Sequence, residues 1–488
     1  MKKLLNKIFH LEERQASLKT EIIGGLITFI AMCYILPVNS QILSSMGMNP
    51  AGIFIATALL SFLVTMIMGV VANYPLALSA GMGLNAYVAF TLSSGFDSWQ
   101  QRMILLTVTG LVFFILSLTP IRKIIIEAIP KPLKNIISAA LGAFILFVGL
   151  KGAGIIAPSG STLVTLGNFV DPAMSIGLVA VLITIALMFS KNKTIKTMAV
   201  PIGILTAAVV GLITSIIMKE NGAIAYVDGS WVYTFKGLEG VSTNLPIAPW
   251  YAENNLKFAD FSGFKEVVFF GAFNGYSGQQ FASDLGTVFT APVSYVAIFS
   301  MIFVNLFDTT ATLIAVGEKT GVIDENGKMQ NYRKAVLADA TGALICGPTG
   351  TSTVTCFAES NVGVSMGAKT GLMSATVALM FLLSAFIYPI FSIFTAGSVT
   401  AAALVCVGLT IVTNSMSELD FKDPIIAFTA IISILFAVLC YSISNGIGFG
   451  LITYSIIMSV QGRHKEVGLP IYIISGLFIV SFVLSVVV

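Results

Sequence analysis

The sequence predicts an all-α polytopic membrane protein, and two observations support this fold class. Of the 488 residues, 56% are hydrophobic and only 10% are charged, whereas a soluble chain carries about 25% charged residues. Uncharged apolar stretches of about 20 residues follow one another along the chain, each long enough to cross a bilayer as a helix. The net charge is only +3, and the Lys and Arg residues are scattered over short loops. We therefore expect no nucleic-acid partner.

The cysteines and histidines exclude several kinds of site. The five cysteines lie inside apolar segments without Cys-x-x-Cys spacing, so we expect neither a disulfide framework nor a zinc site. The only two histidines, His10 and His464, stand near the ends of the chain. We therefore expect no metal site and no resident cofactor.

The chain divides into two halves around a long polar insert. Seven apolar segments lie in residues 22–218, and seven or eight follow in residues 294–488, on either side of the insert at 219–293. Residues 1–21 are polar and basic, which predicts a cytoplasmic amphipathic N-terminus lying on the membrane. After residue 416 the topology stays open, because three full crossings there would place the C-terminus outside.

Lys and Arg residues orient the segments. They cluster before the first segment, in the loop at 122–134, in the run 191–196 and in the loop at 319–334. Short loops rich in Lys and Arg stay in the cytoplasm, and these loops alternate correctly if each of the first seven segments crosses once. The insert then lies outside the cell. An odd number of crossings per half makes the halves inverted repeats, which place a substrate site at the midplane.

Glycine-rich polar stretches interrupt the third segment of each half. The first is Gly81-Met-Gly-Leu-Asn-Ala-Tyr87, and the second runs from Gly347 to Gly363. Glycines allow irregular backbone, and β-branched residues favour a short extended stretch. Backbone N–H groups freed in this way are tolerated at membrane depth only beside a cavity or ligand. The sequence predicts short extended stretches in segments 3 and 10, each leading into a half-helix.

Three acidic residues lie inside predicted spans with no basic neighbour at the same depth: Asp308, Asp339 and Glu359. An ionisable group at membrane depth is costly and marks a functional site by default. Buried carboxylates without cationic partners can bind and release protons near neutral pH, so this set favours proton or cation coupling over an anion channel. Two alternatives stay open: Asp308 as a structural hydrogen-bonding centre, and Asp339 as the ion-pair partner of a nearby Lys or Arg such as Lys334.

Four motifs in the expected order resemble the signature stretches of the AzgA-like purine permeases of the nucleobase–cation symporter-2 superfamily. They are Gly25–Asn39, Gly81–Tyr87, Phe307–Leu313 and Gly350–Gly371. The resemblance covers nearly the whole chain. It implies about fourteen transmembrane segments in two inverted repeats of seven, with a core domain that moves against a gate domain. The core is then formed by 22–120 and 294–390, and the gate by 134–218 and 396–488.

The resemblance also implies residue roles at a site between segments 3, 8 and 10. Glu359 is the expected purine-binding carboxylate, and Asp308 is a second substrate or proton residue. Further substrate contacts are expected from four residues: Asn85, Ser360, Gly83 and Thr355. Proton coupling or conformational roles are expected of Asp308, Asp339, Glu359 and Asn39. The coupling ion is then a proton, and no residue has a catalytic role.

The leading hypothesis is a secondary transporter that imports a purine by proton symport and alternating access. Guanine and hypoxanthine offer an N1–H that an ionised carboxylate accepts, whereas adenine lacks it, so the sequence favours 6-oxopurines. Cys356-Phe357-Ala358 departs from the family pattern beside Glu359, which leaves the choice of substrate open. The alternatives are a carrier of the same fold for xanthine or uracil, and an intramembrane enzyme using Asp308 and Asp339, although the Gly-x-Gly-Asp pattern of such enzymes is absent.

The hypothesis also defines the expected surroundings of the protein. Its partners are a purine nucleobase and the lipid bilayer, and a homodimer is a possible assembly. We expect a multi-pass protein of the plasma membrane with a cytoplasmic N-terminus.

Overall fold

The computed structural model describes these residues: 2–119, 130–192, 195–196, 198–227, 230–247, 258–320, 322 and 329–487. Within them, eight helices are long and apolar enough to cross a membrane, or nine if a helix pair bent by 91° counts as one span. Three further apolar helices are shorter. The all-α polytopic class is confirmed, and the number of fourteen crossings stays a prediction. Parts of two predicted basic loops, residues 122–129 of the loop at 122–134 and residues 323–328 of the loop at 319–334, lie outside the described residues.

The helices and strands have the following bounds. The helices before and within the insert are α1 (Lys2–Phe9), α2 (Leu18–Met32), α3 (Ile35–Ser44), α4 (Pro50–Ile67), α5 (Met82–Ala86), α6 (Trp99–Leu118), α7 (Lys131–Gly152), α8 (Pro172–Met188), α9 (Ala199–Glu220), α10 (Ser262–Val267) and α11 (Gly278–Thr290). The later helices are α12 (Pro292–Thr320), α13 (Tyr332–Thr349), α14 (Ser360–Ser365), α15 (Gly371–Ser384), α16 (Tyr388–Phe391), α17 (Gly397–Ser417), α18 (Pro424–Leu439), α19 (Ile443–Val460) and α20 (Leu469–Val487). The strands are β1 (Leu78–Ala80), β2 (Ile156–Ser159), β3 (Leu163–Leu166), β4 (Ile224–Val227), β5 (Ser230–Tyr233) and β6 (Val354–Cys356).

The long helices form two bundles, each built from both halves of the chain. In the gate bundle, α7 packs on α17 and α18, and α8 packs on α9 and α17. In the core bundle, α6 packs on α13, and α15 packs on α2 and α4. Close packing needs small residues at the crossings: a Cβ added at Gly110 of α6 would lie 1.9 Å from the Ala343 carbonyl oxygen of α13. The bundles correspond to the predicted core and gate, whose exact boundaries stay predictions.

The first membrane segment breaks between α2 and α3, and Pro37 accounts for the break. Proline has no N–H to donate, and its ring crowds the carbonyl four residues earlier, which here belongs to Cys33. The Leu36 N–H bonds to the Cys33 carbonyl instead, at 3.2 Å. The break fixes the position of the next residue, Tyr34, whose side chain is 4% exposed.

Two short strands at the centre of the core join the halves of the chain. Strands β1 and β6 pair antiparallel, with Ser79 opposite Thr355. The pairing continues past the strands, because the Gly81 N–H donates to the Thr353 carbonyl and the Phe357 N–H to the Ala77 carbonyl, both at 2.9 Å. The predicted extended stretches in segments 3 and 10 are confirmed. In the first half, however, the strand ends before the glycine-rich stretch, most of which forms α5.

The N-terminal segment packs on the core bundle, and its expected place on the membrane surface stays a prediction. The apolar side chains of Phe9 and Leu11 are buried against Leu372 and Ala375 of α15. Helix α2 begins at Leu18, earlier than the expected boundary at residue 22. The first membrane segment therefore includes an acidic residue that the predicted span left out.

That residue, Glu21, is fully buried. Its carboxylate accepts hydrogen bonds from three backbone N–H groups at the start of α15, those of Lys369, Thr370 and Met373, at 2.7 to 3.3 Å. The first N–H groups of a helix lack partners within the helix, and a negative charge there is favourable. Glu21 therefore serves as a cap that ties α2 to α15.

The region after residue 416 contains three helices, α18, α19 and α20, and each runs antiparallel to the next. The Ser433 hydroxyl of α18 donates to the Gly446 carbonyl of α19 at 2.8 Å. The Ser455 hydroxyl of α19 lies 2.9 Å from that of Ser475 in α20. Helix α20 is one of the shorter apolar helices, so the number of crossings after residue 416 stays open.

Part of the predicted insert packs against the core bundle. The Asn49 amide at the start of α4 donates to Glu266 of α10 at 2.8 Å. Similarly, the Gln101 amide of α6 donates to Asp284 of α11 at 2.8 Å. Helices α10 and α11 of the insert therefore cover one end of the core, whereas β4 and β5 pack near the start of α8. Residues 228–229 and 248–257 of the insert lie outside the described residues.

Candidate functional site

A cavity of about 360 Å³ lies between the two bundles, beside the paired strands. The core contributes Gly81 to Gly83 at the start of α5, Asp308 of α12, and residues 355–359 after β6. The gate contributes mainly apolar side chains from α7 and α17, with Thr410 and Asn414 as polar exceptions. Among the described residues that line the cavity, none is a Lys or Arg.

Glu359 stands at the N-cap position of α14 and faces this cavity. The Glu359 residue is half-buried, between the exposed Ala358 and the buried Ser360. The carboxylate oxygen Oε1 accepts a hydrogen bond from the Tyr34 hydroxyl at 2.5 Å. An ionised carboxylate has about four acceptor positions on its two oxygens, so Glu359 can also bind a donor in the cavity.

Asp308 reaches the same cavity from α12 and belongs to a second polar cluster. Its Oδ2 accepts a hydrogen bond from the Thr355 hydroxyl at 3.0 Å. The Thr355 hydroxyl also lies 3.4 Å from that of Thr309, which donates to Asp339 Oδ1 at 2.9 Å. The two aspartates are therefore linked through two threonine hydroxyls.

Asp339 itself is fully buried and does not line the cavity. Lys334, its suggested ion-pair partner, is exposed one turn earlier on the same helix. Asp339 is joined to the cavity cluster through Thr309 and lies behind the residues that line the cavity.

Asn39 and Asn85 lie behind the cavity wall. Both are fully buried, and the Asn85 amide donates to Asn39 Oδ1 at 2.9 Å. The Asn39 amide in turn donates to the hydroxyls of Thr57 and Thr351, each at 2.8 Å. This network joins both halves of the chain. Asn85 was predicted to contact substrate, but in this conformation it does not line the cavity.

Ser360 is also placed differently from the prediction. Its side chain is fully buried, and its hydroxyl accepts a hydrogen bond from the Ala77 N–H at 2.9 Å. Because Ala77 directly precedes β1, this bond supports the strand pair and turns Ser360 away from the cavity. By contrast, Gly83 and Thr355, predicted with it, do line the cavity.

Sequence reasoning missed Tyr34 as a site residue. Tyr34 belongs to the motif Gly25–Asn39 that was recognised in the sequence, but it is separated from Glu359 by 325 positions. The only local signal was Pro37, which lies three residues after Tyr34 and indicates a helix break just before it. A break in the first segment, together with the predicted breaks in segments 3 and 10, was the available indication that the first segment contributes to the site.

The fold and the site together define a class of protein. A cavity that holds two carboxylates and lies between two helix bundles, each drawn from both halves of the chain, is the arrangement of a secondary transporter. The chain matches the Permease family (Xan_ur_permease) over residues 19–446. It belongs to that family, and it is a multi-pass membrane transporter and not an enzyme.

Two relatives and one solved structure specify the similarity. The guanine/hypoxanthine permease PbuO of Bacillus subtilis (strain 168) is 36% identical over 478 residues, which cover 97% of this chain and 99% of that protein. The adenine permease AdeQ of Escherichia coli (strain K12) is 30% identical over 481 residues, which cover 98% and 96%. The transmembrane domain of the cyanobacterium bicarbonate transporter BicA aligns with a TM-score of 0.54 at 14% identity, over 87% of this chain and 96% of that chain. The structural similarity supports the fold of core and gate alone.

Proposed function

We propose that this protein imports a purine nucleobase by proton symport, with guanine and hypoxanthine favoured over adenine. The observation that carries the proposal is the pair of carboxylates, Glu359 and Asp308, in one cavity between core and gate. The relatives support a purine substrate but differ in which purine they carry by name: one is a guanine/hypoxanthine permease and another an adenine permease.

The chemistry of the cavity suits a 6-oxopurine. Glu359 offers acceptor positions for the N1–H, and for the 2-amino group of guanine, in a charge-assisted pair. The first N–H groups of α5 have no partners within the helix, and Gly81 to Gly83 line the cavity. These donors match the acceptors O6 and N7 on the opposite edge of the ring. The apolar side chains Met82, Phe357 and Leu141 leave room for the flat faces of the base.

Proton coupling is proposed from the charge of the site. Two carboxylates share a cavity that has no lining Lys or Arg among the described residues, and like charges in one site favour uptake of a proton. Glu359 is engaged in recognition, which leaves Asp308 as the proton carrier. Asp339 would sense its protonation through Thr355 and Thr309.

The burial pattern along α17 suggests that the cavity opens to the cytoplasm. Residues 399–406 are at most 3% exposed, whereas Thr413 and Asn414 near the end of the helix are exposed. At that end Lys131 pairs with Glu418 at 3.2 Å and lowers the pKa of Glu418. Because basic loop residues mark the cytoplasmic side, we infer an inward-facing conformation. The cytoplasmic N-terminus, the plasma membrane and a homodimer remain parts of this proposal.

A competition experiment tests the substrate and the coupling together. Cells that lack their own purine carriers and express this protein should accumulate labelled hypoxanthine. Unlabelled guanine should compete strongly, adenine weakly, and xanthine or uracil least. An uncoupler should abolish the accumulation. Competition by uracil alone would contradict the purine assignment, and accumulation that survives the uncoupler would contradict proton symport.

The Tyr34–Glu359 hydrogen bond predicts the effect of Tyr34→Phe. The phenylalanine keeps the ring but removes the donor that orients the carboxylate. A hydrogen bond to a charged group contributes about 1.5–3 kcal/mol, so we expect guanine binding to weaken by about tenfold or more. The measurement is equilibrium binding of labelled guanine to the purified protein.

A matched control is Tyr74→Phe. Tyr74 is a fully buried core tyrosine whose hydroxyl donates to the Gln330 carbonyl, away from the cavity. Its loss should leave guanine affinity unchanged. Equal effects of the two variants would show that Tyr34 acts through general stability of the core.

A further inference from the structure

The interface between core and gate is sealed on the side of Asp308 away from the cavity mouth. On α12, residues 301–306 precede Asp308 and are all at most 9% exposed. The part of α17 on this side is equally buried, from Val399 to Cys406. In the proposed orientation this is the half of the pathway that faces the outside of the cell.

Polar groups without protein partners lie in this sealed half. Asn305 is 1% exposed, and neither its Oδ1 nor its Nδ2 has a hydrogen-bond partner within the described part of the chain. Asn85 Oδ1 of α5 is also buried without a hydrogen-bond partner within the described residues. Buried polar groups are nearly always paired, and each exception requires an explanation. Asn305 lies three residues before Asp308, so both belong to neighbouring positions on one face of α12.

A small cavity continues this face between the two bundles. It is lined by Leu84 and Tyr87 from the core, by Ser300, Met301 and Val304 of α12, and by Ile443 of the gate. Its volume of about 10 Å³ is close to the space that one water molecule requires. Because Ser300, Val304 and Asp308 are spaced four residues apart, they stack along one side of the helix.

Two hydrogen bonds hold core and gate together at this point. The Ser444 hydroxyl, at the start of α19, donates to the Tyr87 hydroxyl at 2.7 Å. The Thr91 hydroxyl donates to the Tyr441 carbonyl at 3.3 Å. Tyr87 and Thr91 follow α5 in the core, whereas Tyr441 and Ser444 belong to the gate. Both bonds must break if the gate moves away from the core here.

We propose that Ser300, Asn305 and Tyr87 line the outward half of the translocation pathway, and that the Ser444–Tyr87 bond latches this half shut. When the gate moves, the polar face of α12 takes up water from outside and connects Asp308 to that water. The proposal explains why an amide without partners is kept one turn from a carboxylate. It rests on the proposed function only for the assignment of the two sides.

Cysteine accessibility tests the pathway. In a background with the five native cysteines replaced by serine or alanine and with uptake retained, Asn305→Cys and Ser300→Cys are treated with a membrane-impermeant methanethiosulfonate added outside intact cells. Both should react. The control is Thr310→Cys, because Thr310 is buried beyond Asp308, outside the proposed outward half of the pathway, with its hydroxyl bonded to the Leu306 carbonyl at 2.6 Å. Access through a transiently open state should make Ser300→Cys react at least about tenfold faster than the control.

The latch has its own test in the same assay. Adding Ser444→Ala to Ser300→Cys removes a neutral hydrogen bond from the closed state and should raise the labelling rate by about fivefold. A rate unchanged by Ser444→Ala would overturn the latch. Labelling no faster than that of Thr310→Cys, or labelling only from the cytoplasmic side, would overturn the pathway. Purine uptake without labelling of Ser300→Cys and Asn305→Cys from outside would contradict this inference alone. Labelling without purine uptake would contradict the proposed function alone.

Discussion

Glu359→Gln is expected to abolish binding and uptake of guanine and hypoxanthine. The amide keeps the size of the side chain and can still accept the Tyr34 hydrogen bond, but it replaces an acceptor with an N–H₂ donor that opposes the donor edge of the base. Hydrogen bonds to a charged group contribute about 1.5–3 kcal/mol each, so losing two of them should weaken guanine binding by about a hundredfold or more. Equilibrium binding to the purified protein measures the loss.

The control for this prediction is Glu418→Gln. Glu418 is an exposed carboxylate at the end of α17 that pairs with Lys131, and exposed ion pairs contribute little to stability. It should bind guanine as the unmodified protein does. Wild-type affinity in Glu359→Gln, with the protein correctly inserted, would remove Glu359 from the recognition site.

Asp308→Asn is expected to separate binding from accumulation. Asparagine cannot carry a proton, but its Oδ1 can still accept the hydrogen bond from Thr355. In proteoliposomes with a pH difference of one unit, symport of one proton supports about tenfold accumulation, because each tenfold ratio corresponds to about 1.4 kcal/mol. The variant should show no accumulation under this gradient, while exchange of labelled for unlabelled purine continues.

Asp284→Asn is the matched control for Asp308→Asn. Asp284 lies in the insert, where it accepts hydrogen bonds from Gln101 and Tyr276, and its loss should leave accumulation intact. Gradient-driven accumulation by Asp308→Asn at the level of the unmodified protein would contradict the role of Asp308 as proton carrier. Loss of exchange as well would show that Asp308 contributes to purine binding.

The class of the fold and the carboxylates at its centre could be predicted because each follows from the free energy of placing nearby residues in the membrane. Uncharged stretches long enough to span a bilayer define the segments without knowledge of their neighbours. Likewise, Asp308 and Glu359 are conspicuous because an ionisable group at membrane depth needs a reason. The structure brings these two carboxylates to the same cavity.

Contacts between distant parts of the chain could not be predicted in this way. Tyr34 bonds to a residue 325 positions away, and nothing local to either residue indicates the other. Ser360 is adjacent to Glu359 in sequence, but the start of α14 directs its hydroxyl to Ala77 and away from the cavity. Glu21 was missed for a different reason, since α2 starts four residues earlier than the hydropathy boundary and takes the acid into the buried part of the segment.

The pairing of β1 with β6 has a consequence for how the protein is made. Strand β1 enters the membrane during synthesis of the first half, long before β6 exists. Its backbone N–H and C=O groups then lack the partners that they have in the finished protein, and each unsatisfied group costs several kcal/mol in hydrocarbon. The third segment can therefore reach its final structure only after the tenth segment has entered the membrane. A nascent chain stopped within the insert should be a target for membrane proteases, and the substrate site should be the last part of the molecule to mature.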